Sequence, residues 1–172
     1  MSMNAVSLYS VPGAPNLALG GPDRHAKIDA LEAAIRAQPR TTLKWETVHH
    51  FAPGIYAREM RVPAGAVITS KVHKFENLSI LSKGRMALYM EDGTVREVSA
   101  GFHIVAPPGA RRVAFVLEDA VWTCMHNTEE RDLQKIEAHF IAQNVDEYLA
   151  FTRGQKHIAA TAEGETPCLG EQ

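Results

Sequence analysis

The sequence has only two cysteines, Cys124 and Cys168, far apart and in no Cys-x-x-Cys pair. That excludes a disulfide framework and fits a reduced, cytoplasmic protein. A long apolar run is also missing. No stretch of about 18 apolar residues occurs, so no membrane-spanning helix is expected. The opening segment, MSMNAVSLYSVPGAPNLALGG, lacks the basic start and continuous apolar core of a signal peptide. It reads as an arm that either drapes over the domain or stays loose. Nor is there a basic excess. Eighteen Lys and Arg stand against twenty Asp and Glu, a formal charge of −2. Nothing is left over to neutralise phosphates, which argues against nucleic acid as a partner. Internal repeats and low-complexity tracts are absent.

What is present is ordinary for a globular chain: 45% hydrophobic and 22% charged residues over a length of 172. One domain with extra segments at its ends is expected, large enough to hold a core without disulfides. One enrichment stands out. Eight histidines make metal chemistry worth testing.

Periodicity divides the chain. Residues 1–22 are rich in Gly, Pro and small residues and read as irregular. Residues 23–38 place Ile28, Leu31 and Ile35 on one helical face, with Asp23 as N-cap and Pro39 as terminator. From about residue 42 short β-prone runs alternate with turn signals, including APG at 52–54, PAG at 63–65, KG at 83–84, AG at 100–101, PPG at 107–109 and ED at 118–119. This pattern predicts a sandwich or small barrel. MEDGTV at 90–95 is a hairpin with Asp-Gly at its tip. Helical periodicity returns at 128–143, with Leu133, Ile136 and Phe140 on one face and Thr128 as N-cap. NVDEYLAF adds a short second helix, and a disordered tail is expected from Arg153. The expected organisation is arm and helix (1–41), β-domain (42–127), C-terminal helices (128–152) and tail (153–172).

Two glycine-proline frameworks lie inside the β-domain. Gly65 is followed by AVITS, then Lys71-Val72-His73, then Glu76 and Asn77, and Gly84 closes the stretch. Gly101 is followed by FHIVA, then Pro107-Pro108-Gly109, then Ala110, Arg111 and Arg112, with Val116 beyond. In glycine and proline spacing these segments resemble the two motifs of the cupin superfamily. The resemblance implies a mainly β fold, an RmlC-like double-stranded β-helix or jelly-roll barrel, here with flanking N- and C-terminal helices. It also implies a small-molecule site inside the barrel, built from two His and a Glu of the first motif and a His of the second. His73 keeps its slot. Lys71 replaces the other histidine of the pair, Arg112 replaces the histidine of the second motif, and Val116 takes its Asn slot. Counting back from Gly84 favours Asn77 at the Glu slot. Glu76 is nevertheless preferred as ligand, since a carboxylate binds a metal far better than an amide.

The exchanges change the chemistry. A charged lysine does not ligate a metal, and arginine keeps its proton. Lys71 and His73 share a strand face, as do Arg112, Ala114 and Val116. Cations on inward faces need a carboxylate such as Glu76 or an anionic ligand, and arginine offers a fork for carboxylate or phosphate. A metal site can be rebuilt from His73, Glu76 and His126, the last near the end of the final predicted strand. Of the adjacent pair His49 and His50, at most one points inward, and His103 sits where the motif uses no ligand. Tyr56 and Trp122 are expected to pack, and Cys124 to be a buried small hydrophobe.

Three readings therefore stand. In the first, a divalent ion (Fe, Mn, Ni or Zn) on His73, Glu76 and His126 binds a small organic acid. In the second, a metal-free enzyme similar to the sugar-nucleotide epimerases and isomerases of the superfamily uses His73 as base and Lys71 and Arg112 to bind an anion. In the third, the barrel binds a ligand or serves a structural role without catalysis. A homodimer packed through the helices is expected. Segments from 49 to 138 also resemble small uncharacterised cupin-like proteins of bacteriophage and prophage genomes, which implies no activity.

Overall fold

The computed structural model describes residues 13–37 and 43–163. Pro39, residues 1–12 of the arm, and residues 164–172 with Cys168 lie outside the described residues. The chain runs α1 (Arg24–Ala37), β1 (Glu46–Ala52), β2 (Ile55–Val62), β3 (Val67–Thr69), β4 (Val72–His73), β5 (Asn77–Tyr89), β6 (Val95–Ser99), β7 (His103–Ala106), β8 (Val113–Asn127), α2 (Leu133–Phe140), β9 (Ile141–Ala142) and α3 (Val145–Glu163). The protein is mainly β, with antiparallel strands and helices at both ends, as expected.

Two long strands organise it. β5 and β8 pair along their length, and each changes its second neighbour midway. The first half of β5 pairs β7 and its second half pairs β6. The first half of β8 pairs β3 and its second half pairs β2, which carries β1 on its edge. The sheet thus bends over on itself, and side chains from both halves meet inside. Val62, Leu81 and Trp122 of one half pack with Met86, Leu88, Val98, Ala114 and Val116 of the other.

The bend explains where the pattern of turn signals misleads. Lys83-Gly84 reads as a turn but lies within β5. Gly84 has φ +81°, and the β5–β8 register shifts at Leu81/Lys83, Lys83/Arg85 and Arg85/Met86. A glycine that reaches positive φ lets the strand bulge and bend while it stays paired. Glu118-Asp119 likewise lies within β8, and Asp119 Oδ1 accepts from the Ala64 backbone N–H at 2.9 Å. The Asp-Gly hairpin forms as expected, with Asp92 Oδ1 accepting from the Thr94 N–H (2.8 Å) and hydroxyl (2.7 Å).

The described part of the arm and α1 cover one end of the barrel. Leu19 and Ile28 are buried against Tyr89 and Val113, and the Tyr89 hydroxyl donates to Pro15 O at 2.5 Å. Arg24 ties the layers together. Its guanidinium is buried and donates to the carbonyls of Leu19 (2.6 Å), Met90 (2.8 Å) and Tyr89 (2.6 Å). The Asp23 carboxylate, expected to cap α1, lies 2.9 Å from Lys27 Nζ instead.

α2 lies beside Lys71 at the mouth of the cavity. It starts later than its periodicity predicts, because Asp132 caps it, accepting from the N–H groups of Gln134 and Lys135. Thr128 caps only a turn, through the Glu130 N–H at 3.0 Å. Ile136 and Phe140 pack with Ile141 on Tyr56 at the barrel mouth, and β9 pairs β4 beside it. α3 is longer than expected. It continues through Arg153 to Glu163, where polar composition predicted a featureless tail. Among the described residues no helix is long and apolar enough to cross a membrane.

Candidate functional site

The barrel encloses a cavity of about 610 Å³ between its two halves and beneath α2. Its polarity follows from strand register. On β2, the alternation that buries Tyr56 also turns Arg58 and Met60 to the cavity. On β8 the same face carries Trp122, Cys124 and His126, and cross-strand pairs join Tyr56 to His126, Arg58 to Cys124 and Met60 to Trp122. On β5, Ser79 lies opposite Cys124. Met60, Met86, Leu88 and Trp122 make an apolar floor, and Tyr56, His73, Asn77 and His126 make a polar level nearer α2.

His73 and His126 come together as the sequence suggests, their rings nearly parallel and 5.5 Å apart between centroids. His126 also stacks on Tyr56 at 6.1 Å and leans on Phe140 at 4.5 Å. Burial, reinforced by His126, Arg58 and Arg112, pushes the His73 pKa down to about 4. Burial and then Arg58 push that of His126 down to about 4 as well. Both imidazoles are therefore neutral at pH 7. The Nδ1 atom of each is buried without a hydrogen-bond partner among the described residues.

Glu76 does not join them. It is exposed and outside the cavity lining. The expectation that Glu76 is a ligand is corrected by strand alternation: Asn77 and Ser79 point inward and are buried, so Glu76, Leu78 and Ile80 belong to the other face. Arg112, just before β8, lines the cavity with Ala114, whereas Val116 of the same expected face does not. Its Nε is buried, lacks a hydrogen-bond partner, and lies 3.7 Å from Glu91 Oε1. Lys71 lies at the exposed rim and meets Glu137 Oε1 of α2 at 2.8 Å. His49 faces inward and its Nδ1 shares a hydrogen bond of 2.8 Å with the Tyr56 hydroxyl. His50 faces outward, 3.2 Å from Glu59. His103 is exposed and does not line the cavity.

A resident divalent ion does not fit this donor set. Among the described residues no group of three or more His, Cys, Asp or Glu is placed to hold a metal. The two imidazoles stand in the positive field of Arg58 and Arg112, which opposes a cation. Glu137, the one carboxylate of the lining among the described residues, is engaged by Lys71.

Two lining residues escaped the sequence reading. Arg58 is a charge on a strand face otherwise made of Tyr56 and Met60, and that interruption was the available signal. Asn77 fits the spacing from Gly84 but was set aside for the stronger ligand next to it. Cys124, expected to be a buried hydrophobe, lies instead in the cavity wall, 3.3 Å from Ser79 Oγ.

No family model and no curated protein matches the chain. Solved structures do. They include the KdgF protein of Halomonas sp., 23% identical, over 55% of this chain and 88% of that one, with a TM-score of 0.42. An RmlC-like cupin from Shewanella frigidimarina is 18% identical, over 55% and 84%, with a TM-score of 0.42. The EutQ protein of Clostridium difficile is 15% identical, over 52% and 72%, also with a TM-score of 0.42. Each match spans about half of this chain. At these identities and TM-scores the likeness carries no activity with it.

Proposed function

We propose that this chain binds a small organic carboxylate inside the barrel. The observation that carries the reading is the charge of the lining. Two arginines, Arg58 on the exposed side and the more buried Arg112, line a cavity whose sole carboxylate among the described residues, Glu137, is held by Lys71 at the rim. No described residue pairs with Arg58 by hydrogen bond or ion pair, and Arg112 Nε has only the 3.7 Å approach of Glu91. Such guanidinium groups suit a carboxylate, and about 610 Å³ is the size of a small-ligand pocket. The test is calorimetry and thermal shift with short-chain carboxylates at pH 7. Arg112→Gln and Arg58→Ala should each weaken binding about 10- to 100-fold, the range for a lost charge-assisted hydrogen bond. Lys71→Ala should leave it within about twofold. Carboxylate affinity unchanged in both arginine variants would refute the reading.

A second reading, acid–base catalysis on the bound carboxylate, is favoured by His73. Its buried Nδ1 has no hydrogen-bond partner among the described residues, and the side chain lines the cavity. A bound anion would offset Arg58 and Arg112 and raise its proton affinity from about 4. NMR in D2O would show exchange of a ligand C–H in the wild type and its loss in His73→Gln. Absence of exchange with a bound carboxylate would remove this reading and leave a binding protein.

A further inference from the structure

The arginines account for a negative charge on the ligand, but other polar atoms of the lining remain without an assignment. Asn77 is 5% exposed and its Nδ2 has no hydrogen-bond partner among the described residues. His126 is 8% exposed and its Nδ1 is equally unpartnered. Both belong to the cavity wall. β5 and β8 bring them together, since they lie one residue beyond the Leu78–Met125 pair on adjacent antiparallel strands. A buried donor left without an acceptor costs about 1–3 kcal/mol, and so is kept where something else satisfies it.

The amide is also held in one orientation. The Ser79 hydroxyl donates to Asn77 Oδ1 at 3.0 Å and stands 3.3 Å from Cys124 Sγ. A hydroxyl has a single proton. With that proton on Asn77, the Cys124 thiol donates to Ser79 Oγ and completes a chain of three side chains. The chain takes up the amide oxygen and leaves the NH2 end without a partner in the cavity wall. What remains to be satisfied is a donor, not an acceptor.

We infer that Asn77, steered by Ser79 and backed by His126, is a specificity residue that receives an oxo group of the ligand, so that the site takes an oxo-carboxylate in preference to a plain one. The inference rests on the arginine-anchored carboxylate site proposed above. Polar groups lie at two neighbouring levels, Tyr56 with His126 and Arg58 with Cys124, while Met60 and Trp122 begin the apolar floor. The oxo group and the carboxylate of the ligand are therefore close together, with any hydrocarbon part directed to the floor. A site built to hydrogen-bond a polar group discriminates strongly against the analogue that lacks it, because its own donor is then left unpaired.

The experiment is calorimetry at pH 7 on the full chain with three matched pairs: pyruvate and propionate, acetoacetate and butyrate, levulinate and valerate. At least one oxo acid should bind 10-fold or more tighter than its partner. Asn77→Ala should reduce that preference to less than threefold while the plain acid keeps its affinity. Ser79→Ala, which frees the amide to turn over, should weaken the preference without abolishing carboxylate binding. Asn77→Asp, of the same volume, should disfavour the oxo acid further, and a melting temperature within a few degrees of wild type shows that each variant is folded. Equal affinities within every pair, with binding still dependent on Arg112, would overturn the Asn77 role and leave the carboxylate site standing. A preference that survives Asn77→Ala would overturn it as well. No binding of any of the six acids at millimolar concentration would overturn the arginine reading and this one with it.

Discussion

The neutral histidine pair should make the fold sensitive to mild acid. His73 and His126 both titrate near 4 in the folded chain, against about 6.5 in the unfolded one. Below pH 6.5 the unfolded chain takes up protons that the folded chain refuses until about pH 4. Stability therefore falls as the pH drops from about 6.5 to 4 and levels off beneath. For one histidine the loss between pH 7 and pH 5.5 is about 1.2 kcal/mol. His126 contributes to the depression of His73, so the two losses do not add in full, and about 2 kcal/mol is expected for the pair. Half-buried His25, whose pKa is lowered by burial and then by Arg111 and Arg24, adds a loss of the same sign. The carboxylates held low by ion pairs, such as Glu32 and Glu137, lose their contribution only nearer pH 4.5 and below, which is why pH 5.5 is the informative point. Urea unfolding followed by circular dichroism at the two pH values measures the difference. In a variant carrying both His73→Gln and His126→Gln, about 2 kcal/mol of the pH dependence should disappear while the His25 part stays. Equal pH dependence in variant and wild type would show that the pair is not held neutral by burial.

Other substitutions separate the parts of the fold. Arg24→Met removes three short hydrogen bonds to main-chain carbonyls from a buried position, and should destabilise by about 3 kcal/mol or more, with amide exchange in α1 accelerating first. Gly84→Ala forces a side chain into positive φ and against the backbone of Asp119 and Ala120, so a loss of about 2 kcal/mol or more is expected in urea unfolding. Glu137→Ala breaks a half-exposed pair with Lys71 at the rim and should change stability by less than about 1 kcal/mol.

Tight turns were legible in the sequence and mid-strand bends were not. Turn residues mark ends of elements only where the chain reverses. Gly84 and Asp119 mark a bend in paired strands instead, and a positive φ in mid-strand has the same sequence signature as a tight turn. The hairpin at Asp92-Gly93 was legible because its geometry is local: one carboxylate satisfies two donors two residues away. Helix ends were less so. Thr128 and Asp132 are both acceptable caps by type, and the choice between them is made by where Ile136 and Phe140 must sit on Tyr56.

The site shows the same division between local and distant causes. Alternation sufficed for the opposed faces of His49 and His50, because β1 keeps its period. It also contained the answer for Asn77, which the preference for a carboxylate overrode. That preference assumed a metal, and the assumption fails once Arg58 comes in from β2, a strand outside both glycine-proline frameworks. The pairing of Arg58 with Cys124, and of Tyr56 with His126, depends on a register between strands nearly 70 residues apart, which no local pattern carries. In this lining Asn77 is an amide whose oxygen accepts from Ser79 and whose nitrogen has no partner among the described residues. Under the carboxylate reading, Asn77 and Arg112 offer donors to an acceptor-rich ligand, whereas Lys71 is taken up by Glu137 at the rim.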